Sequence, residues 1–355
     1  MKSIDAFLKQ EVDKNKTPSI QYVFFDADST IYEFHYGFSN IKANTMVNAA
    51  TTYNLFSVTK TFTALAVLQL AQSGEVQLNE PMANYLPGFP YPKEITIEQV
   101  LNHTAGIPNP LPLRWTHLLT EHDTFDRDSF FSTVFKKNNK LKYLPGTKFS
   151  YSNPGYVLLG QLIEKISGKK YETYVKENIF DKAGIESDQL SFTIDPLVHA
   201  KGYQKCWSLT NAILGFLIDK KKYMGPKEGK WKPFAPFYIN GTAYGGMLGS
   251  AIGLVKYARA LLRKDAELLN EEFKKLLFSE SIIDNKSTGM SLSWFTGNLK
   301  GNKFYAHAGG GGGYYVELRI YPELGVGSAI LYNRSGMTDE RILNKTDGVF
   351  LTAKQ

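Results

Sequence analysis

The chain has 355 residues, 43% hydrophobic and 21% charged, with 41 basic against 34 acidic side chains and a net charge of +7. That composition excludes a disordered or fibrous protein and allows a core large enough for two lobes. One cysteine, Cys206, excludes an intrachain disulfide, no run approaches the ~18 apolar residues of a membrane span, and the lysine-rich stretches 136–148 and 220–222 match no nucleic-acid motif. Neither a nucleic acid nor a membrane is therefore expected as a partner.

The first twenty residues lack the apolar core of a signal peptide and read as a short amphipathic helix. As given, the chain is expected in the cytoplasm, or in the periplasm or outside the cell if a leader was removed. Residues 20–27 and 29–37 are β-rich runs around Asp26-Ala27-Asp28, a hairpin signal. A polar stretch leads to residues 55–74, where Phe62, Leu65, Ala66, Leu68 and Leu70 recur at helical spacing and Gly74 is a natural stop. From Val76, prolines 81, 87, 90 and 92 alternate with helical runs such as 96–102, the start of a mainly helical lobe. In the loop 101–107, His103 reads as a histidine bonding backbone in a buried turn rather than as a base.

Residues 156–166 form an apolar-periodic helix ended by Gly168. The segment 187–240 is broken by Pro226, Pro233 and Pro236 and resists assignment, as stretches covering clefts often do. A glycine-rich turn then opens a helix within 243–262, and four β-type runs follow at 290–297, 303–307, 314–321 and 325–332. Their hairpin-length connections predict an antiparallel sheet, and a helix near 339–352 closes the chain.

Three short patterns bear on chemistry. Ser-x-x-Lys occurs three times, at Ser39/Lys42, Ser57/Lys60 and Ser167/Lys170, and only Ser57 opens a long apolar helix. Serine and lysine three residues apart share a helix face, and a lysine can deprotonate a serine once its surroundings lower its pKa. Tyr151-Ser152-Asn153 precedes a helix, where a phenol and a carboxamide could both face a cleft; Tyr238/Asn240 has the same spacing. His307-Ala308-Gly309 runs into Gly310–Gly313 between two strands, with no Lys-Ser/Thr following, so phosphate binding is disfavoured. A strand edge stripped of side chains, against which a substrate lies, is the better reading. There is no Gly-x-Ser-x-Gly and no His-Glu-x-x-His, which argues against an α/β-hydrolase and a zinc hydrolase.

In order, spacing and flanks, these patterns resemble the penicillin-recognising serine hydrolases: class C β-lactamases, D-alanyl-D-alanine carboxypeptidases with a His-Thr-Gly triplet, and family VIII carboxylesterases. The flanks LNEPMANYLPG, VLNHTAGIP and YSNPGYVLLGQLIEKISG match too, and the likeness covers roughly residues 20–335. It implies an α+β, β-lactamase/transpeptidase-like fold, an antiparallel sheet flanked by helices plus an inserted helical lobe. Residues 1–75 and 240–355 would form the sheet domain and 76–239 the helical one, with the site between them.

The same resemblance implies that Ser57 forms an acyl-enzyme, that Lys60 and Tyr151 share proton transfer, and that Asn153 holds the acyl amide or Lys60. The N–H groups of Ser57 and Gly310 would form the oxyanion hole, with His307, Ala308 and Gly309 lining the substrate, and no metal or cofactor is implied. Where class C β-lactamases carry Lys-Thr-Gly this chain has His307-Ala308-Gly309, losing a permanent charge and a hydroxyl that would meet a substrate carboxylate. Gly253, where the family often has aspartate, reads as a capping difference. The expected function is an esterase-like serine hydrolase for small acyl esters or amides. A D-amino-acid peptidase or carboxypeptidase, a β-lactamase, and a non-catalytic binding protein are the alternatives.

Overall fold

The computed structural model describes residues 2–112, 114–206, 219–263, 267–335 and 341–351. Its frame is a seven-stranded sheet whose neighbouring strands all run antiparallel. Three strands come from the start of the chain, β1 (Ser19–Asp26), β2 (Thr30–Asn40) and β3 (Thr45–Met46). Four come from its end, β4 (Phe295–Leu299), β5 (Asn302–Gly311), β6 (Tyr314–Tyr321) and β7 (Val326–Tyr332). The order β4-β5-β6-β7-β1-β2-β3 joins the two ends where β1 pairs with β7, Ile20 opposite Tyr332. The expected hairpin is there, its turn closed by the Asp26 carboxylate accepting from the Asp28 and Ser29 N–H groups.

Strand periodicity divides the sheet's side chains between two cores. Val23 and Phe25 of β1, Val316, Leu318 and Ile320 of β6 and Leu331 of β7 face the main core. Ile20, Tyr22, Phe24, Tyr321 and Tyr332 face a second cluster, closed by Ile4 and Leu8 of helix α1 (Lys2–Asp13) and by Leu343 of helix α5 (Arg341–Phe350). The expected closing helix is observed from Arg341 onward, and residues 339–340 and 352 lie outside the described residues. The main core is continuous from the sheet into three helices, α2 (Thr59–Gln72), α3 (Asn153–Ser167) and α4 (Ala251–Leu262). Helix α2 lies at its centre, with every residue from Thr59 to Leu68 buried. It is a helix enclosed on all sides rather than an amphipathic one.

Three expectations change. The run 290–297 is a strand only from Phe295, because Met290, Leu292 and Trp294 are buried through a turn in which Ser293 takes φ +75° and the Ser291 N–H donates to the Trp294 carbonyl. Strand β5 continues past His307 to Gly311, since the glycines pair with Tyr314, Tyr315 and Val316. Gly253 is not a cap. Ser250 caps α4 by accepting from the Gly253 N–H, while a Cβ on Gly253 would stand 2.6 Å from the Gln189 carbonyl, so the glycine admits that segment against the helix.

The second core contains charge. Arg319 donates to Glu317 at 2.8 Å and lies 3.9 Å from Asp347, which also accepts from Tyr22, Tyr321 and Ser328 at 2.8–2.9 Å. All three charged residues are buried, and burial pushes the Glu317 carboxyl up to about 7 against the pull of Arg319. Removing the cation would strand two carboxylates in a low-dielectric interior. Arg319→Leu is expected to lower the free energy of unfolding by about 3–5 kcal/mol in urea titration, whereas a loss under 1 kcal/mol would show that the network is dispensable.

Candidate active site

Ser57 sits where three elements converge. Tyr53–Asn54 pair with Leu248–Gly249, and the Leu55 N–H donates to the Met247 carbonyl at 2.9 Å. A 3₁₀ turn, Phe56–Val58, then leads into α2. Phe56 has φ +46°, a left-handed conformation that costs a bulky residue on the order of 1–3 kcal/mol and persists only where its surroundings enforce it. Phe237 and Tyr314, each 6.4 Å from its ring, supply that enforcement. Strand β5 passes so close that a Cβ on Gly309 would lie 2.2 Å from the Leu55 carbonyl oxygen and 2.7 Å from the Ser57 nitrogen, so only glycine fits.

Lys60, the second residue of α2, is fully buried, its Nζ 3.0 Å from Ser57 Oγ and donating to the Tyr244 carbonyl at 2.7 Å. That carbonyl is fixed by Thr63, whose hydroxyl donates to the Ala243 carbonyl at 2.6 Å, and by the Met247 N–H donating to Thr59 Oγ1 at 3.2 Å. No carboxylate pairs with Lys60 among the described residues, and burial holds its amine well below the ordinary lysine range. The rings of Tyr151, Tyr244 and Tyr156 lie 5.0, 5.3 and 5.6 Å from Nζ, where they would replace part of the hydration an ammonium loses.

Tyr151 stands beside the same serine: burial pushes its phenol up, and the nearby Ser57 hydroxyl pulls it part of the way back. His103 clamps the backbone on either side of it. The Ser150 N–H donates to the His103 carbonyl at 2.7 Å and the Ser152 N–H to His103 Nδ1 at 3.1 Å. The backbone-bonding reading of His103 therefore describes the structure, though the bonded segment is the one that carries Tyr151. Ser152 then caps α3 by accepting from Gly155, which puts Asn153 at the head of that helix. Asn153 makes no bond to Lys60; its Oδ1 is buried without a hydrogen-bond partner among the described residues.

Ser57, Asn153, Tyr244 and Gly310 line one cavity of about 220 Å³, walled by Phe56, Pro112, Tyr223, Phe234, Phe237 and Ile239. Most of that wall comes from 223–239, inside the stretch that resists sequence assignment, of which residues 207–218 lie outside the described residues. Strand alternation separates the His-Ala-Gly triplet. Gly309 meets the Ser57 turn and His307 is buried near Tyr151, 6.4 Å ring to ring. Ala308 corrects an expectation: its methyl packs into the second core, on the opposite face of the sheet, and is not among the residues lining the cavity. The His307 imidazole is pushed down to about 3 by burial and by the charge of Lys60, so it does not replace the lysine of Lys-Thr-Gly as a cation.

Sequence reasoning missed Tyr244 and the strain at Phe56. The Gly245-Gly246 pair after Tyr244 was a signal of sharp chain reversal, but the role of the Tyr244 carbonyl left no trace in the sequence. Among the described residues no three His, Cys, Asp or Glu side chains group as a metal site, and no helix is long and apolar enough to cross a membrane.

The Beta-lactamase family model matches residues 4–350. Penicillin-binding protein 4* of Bacillus subtilis (strain 168) is 25% identical over 299 residues, 82% of this chain and 62% of that protein. Protein flp of Staphylococcus aureus (strain COL) is 23% identical over 93% of this chain and 62% of its own length, so the chain spans under two thirds of these relatives. The octameric penicillin-binding protein homologue from Pyrococcus abyssi superposes with a TM-score of 0.80 at 24% identity, covering 98% of this chain and 77% of that one. A D-amino acid amidase from Ochrobactrum anthropi SV3 gives 0.77 at 18% identity, covering 98% and 96%. Those structures share the fold, and the match of the family model from end to end makes this chain a member of the Beta-lactamase family.

Proposed function

We propose that the protein is a serine acyl hydrolase working through an acyl-enzyme on Ser57, esterase-like on small uncharged acyl esters or amides. The observation that carries this reading is the buried Lys60 amine 3.0 Å from Ser57 Oγ, with no carboxylate beside it among the described residues. An amine desolvated in this way gives up its proton more readily than an ordinary lysine, and once deprotonated it can take the serine proton. Tyr151 is shifted the other way and keeps its proton, which suits it to donate. Ser57 Oγ attacks the carbonyl carbon as its proton passes to Lys60. The oxyanion is held by the N–H groups of Ser57 and Gly310. The C–O or C–N bond then breaks, the leaving group taking a proton from Tyr151, which Lys60 replenishes, and water releases the acyl group by the reverse sequence. The apolar cavity wall favours an uncharged acyl group, because no charged side chain lines it among the described residues.

The unpartnered Asn153 Oδ1 supports a second reading, an amidase or peptidase for D-amino-acid substrates. A buried acceptor at the cavity suits a substrate N–H, which a simple ester lacks.

Ser57→Ala is expected to abolish labelling by a fluorophosphonate and to lower kcat by about 10³-fold or more; unlabelled wild type would instead favour a binding protein. Lys60→Met should lose activity to a similar extent yet raise Tm by a few degrees. The folded-state amine is depressed, so between its folded and unfolded pKa values the unfolded chain binds the extra proton, and removing the amine removes that penalty. The acid limb of the kcat/KM profile should follow loss of the Lys60 proton, with activity rising as pH rises through a midpoint well below the usual lysine value, and the same limb should persist in His103 and His307 variants. In a substrate panel, p-nitrophenyl butyrate should exceed acetate by about tenfold in kcat/KM, with nitrocefin slow. Fast nitrocefin would contradict the neutral-substrate reading, and D-amino-acid amides outpacing the esters would establish the second one.

A further inference from the structure

His103 and His307 stand on different elements, the loop after residue 101 and strand β5, and both are buried beside Tyr151, with ring centroids 4.4 and 6.4 Å from its ring. Each has Nδ1 bound to backbone, in opposite senses. His103 Nδ1 meets the Ser152 N–H at 3.1 Å; that group can only donate, so Nδ1 holds the lone pair and, in the neutral ring, Nε2 holds the proton. His307 Nδ1 lies 2.9 Å from the Ala308 carbonyl, which can only accept, so Nδ1 holds the proton and Nε2 is bare. Both rings are 1% exposed in the field of Lys60, and a second proton on either would add a buried cation.

The result is a buried donor at His103 Nε2 and a buried acceptor at His307 Nε2, neither with a hydrogen-bond partner among the described residues. Each such orphan is unfavourable, and native interiors seldom keep one without a partner. Here the two are complementary and flank the same tyrosine. Their backbones also belong to the two walls of the site. His103 holds the segment 150–152 that carries Tyr151, and His307 lies two residues before Gly309, which abuts the Ser57 nitrogen.

We propose that His103 and His307 are positioning residues for Tyr151, joined at their Nε2 atoms through one buried water that accepts from His103 and donates to His307. The bridge sets the separation between the Tyr151 segment and strand β5, and so between the phenol and Ser57. It does this without placing a second charge beside Lys60, as a lysine at position 307 would. The proposal rests on the serine-hydrolase reading for its consequence in catalysis, and its geometry can be tested without substrate.

Nitrogen-15 spectra of the wild-type imidazoles should show the Nε2–H tautomer at His103 and the Nδ1–H tautomer at His307. His103→Asn and His307→Asn each keep an atom for the backbone bond at Nδ1 and delete Nε2. Each is expected to lower kcat by about 10–100-fold through misplacement of Tyr151, with KM within about twofold. The double variant should be no slower than the slower single one, because the second change removes a partner already orphaned. The same tautomer on both rings, a single variant with wild-type kcat, or losses that multiply in the double variant would overturn the bridge. Wild-type protein that turns over none of the esters would count against the Ser57 reading alone, since the tautomers are read independently of turnover.

Discussion

A lysine amine sealed beside a serine, with no carboxylate to neutralise it among the described residues, is the constraint on which the site depends. Water would hold Lys60 protonated, and an acidic neighbour would do so more strongly. The fold denies it both, enclosing α2 on all sides and facing the amine with a main-chain carbonyl and three tyrosine rings. The uncompensated desolvation of the charged form is unfavourable for folding, and the surrounding core offsets it. Large apolar side chains from both ends of the chain and from its middle meet in that core. A polar group kept at such a cost in so well packed a place is the pattern expected of a site selected for chemistry.

The strain at Phe56 belongs with this. A helix beginning directly after a left-handed phenylalanine has its first turn aimed by tertiary contacts, here Gly309 on one side and the Phe237 and Tyr314 rings on the other. The Tyr53–Asn54 ladder and the Thr59 and Thr63 hydroxyls tie the same turn to residues 243–248. Ser57, Lys60 and the Tyr244 carbonyl thus share one rigid knot, and Tyr151 arrives from a separate loop that His103 holds. The proposed histidine bridge would couple that loop to the knot.

The sheet uses its two faces differently. Toward α1 and α5 it buries the Glu317–Arg319–Asp347 network, which ties β6 to α5 and, through the Tyr22 hydroxyl, reaches β1; none of these residues lines the cavity. Toward α2 it presents His307 and Gly309. A one-residue step along β5 therefore separates His307 and Gly309, on the Ser57 side, from Ala308, whose methyl belongs to the other core.

The sequence alone determined the hairpin, the antiparallel character of the late strands, the helices around Leu65 and Leu158, and the cluster of Ser57, Lys60, Tyr151 and Asn153, because each rests on local periodicity, on capping residues or on recognisable flanks. The two-core division of the sheet was implicit in alternation once the strand bounds were known. Only the tertiary structure decided which residues wall the cavity, since Phe234, Phe237 and Ile239 come from a proline-broken stretch without periodicity. It alone supplied the Tyr244 carbonyl, the left-handed Phe56 and the backbone contacts of His103 and His307 at Nδ1. The first and the His103 contact bring together groups more than forty residues apart in the chain, the His307 contact is set by how its ring is packed in the interior, and Phe56 takes a conformation that no side-chain pattern encodes.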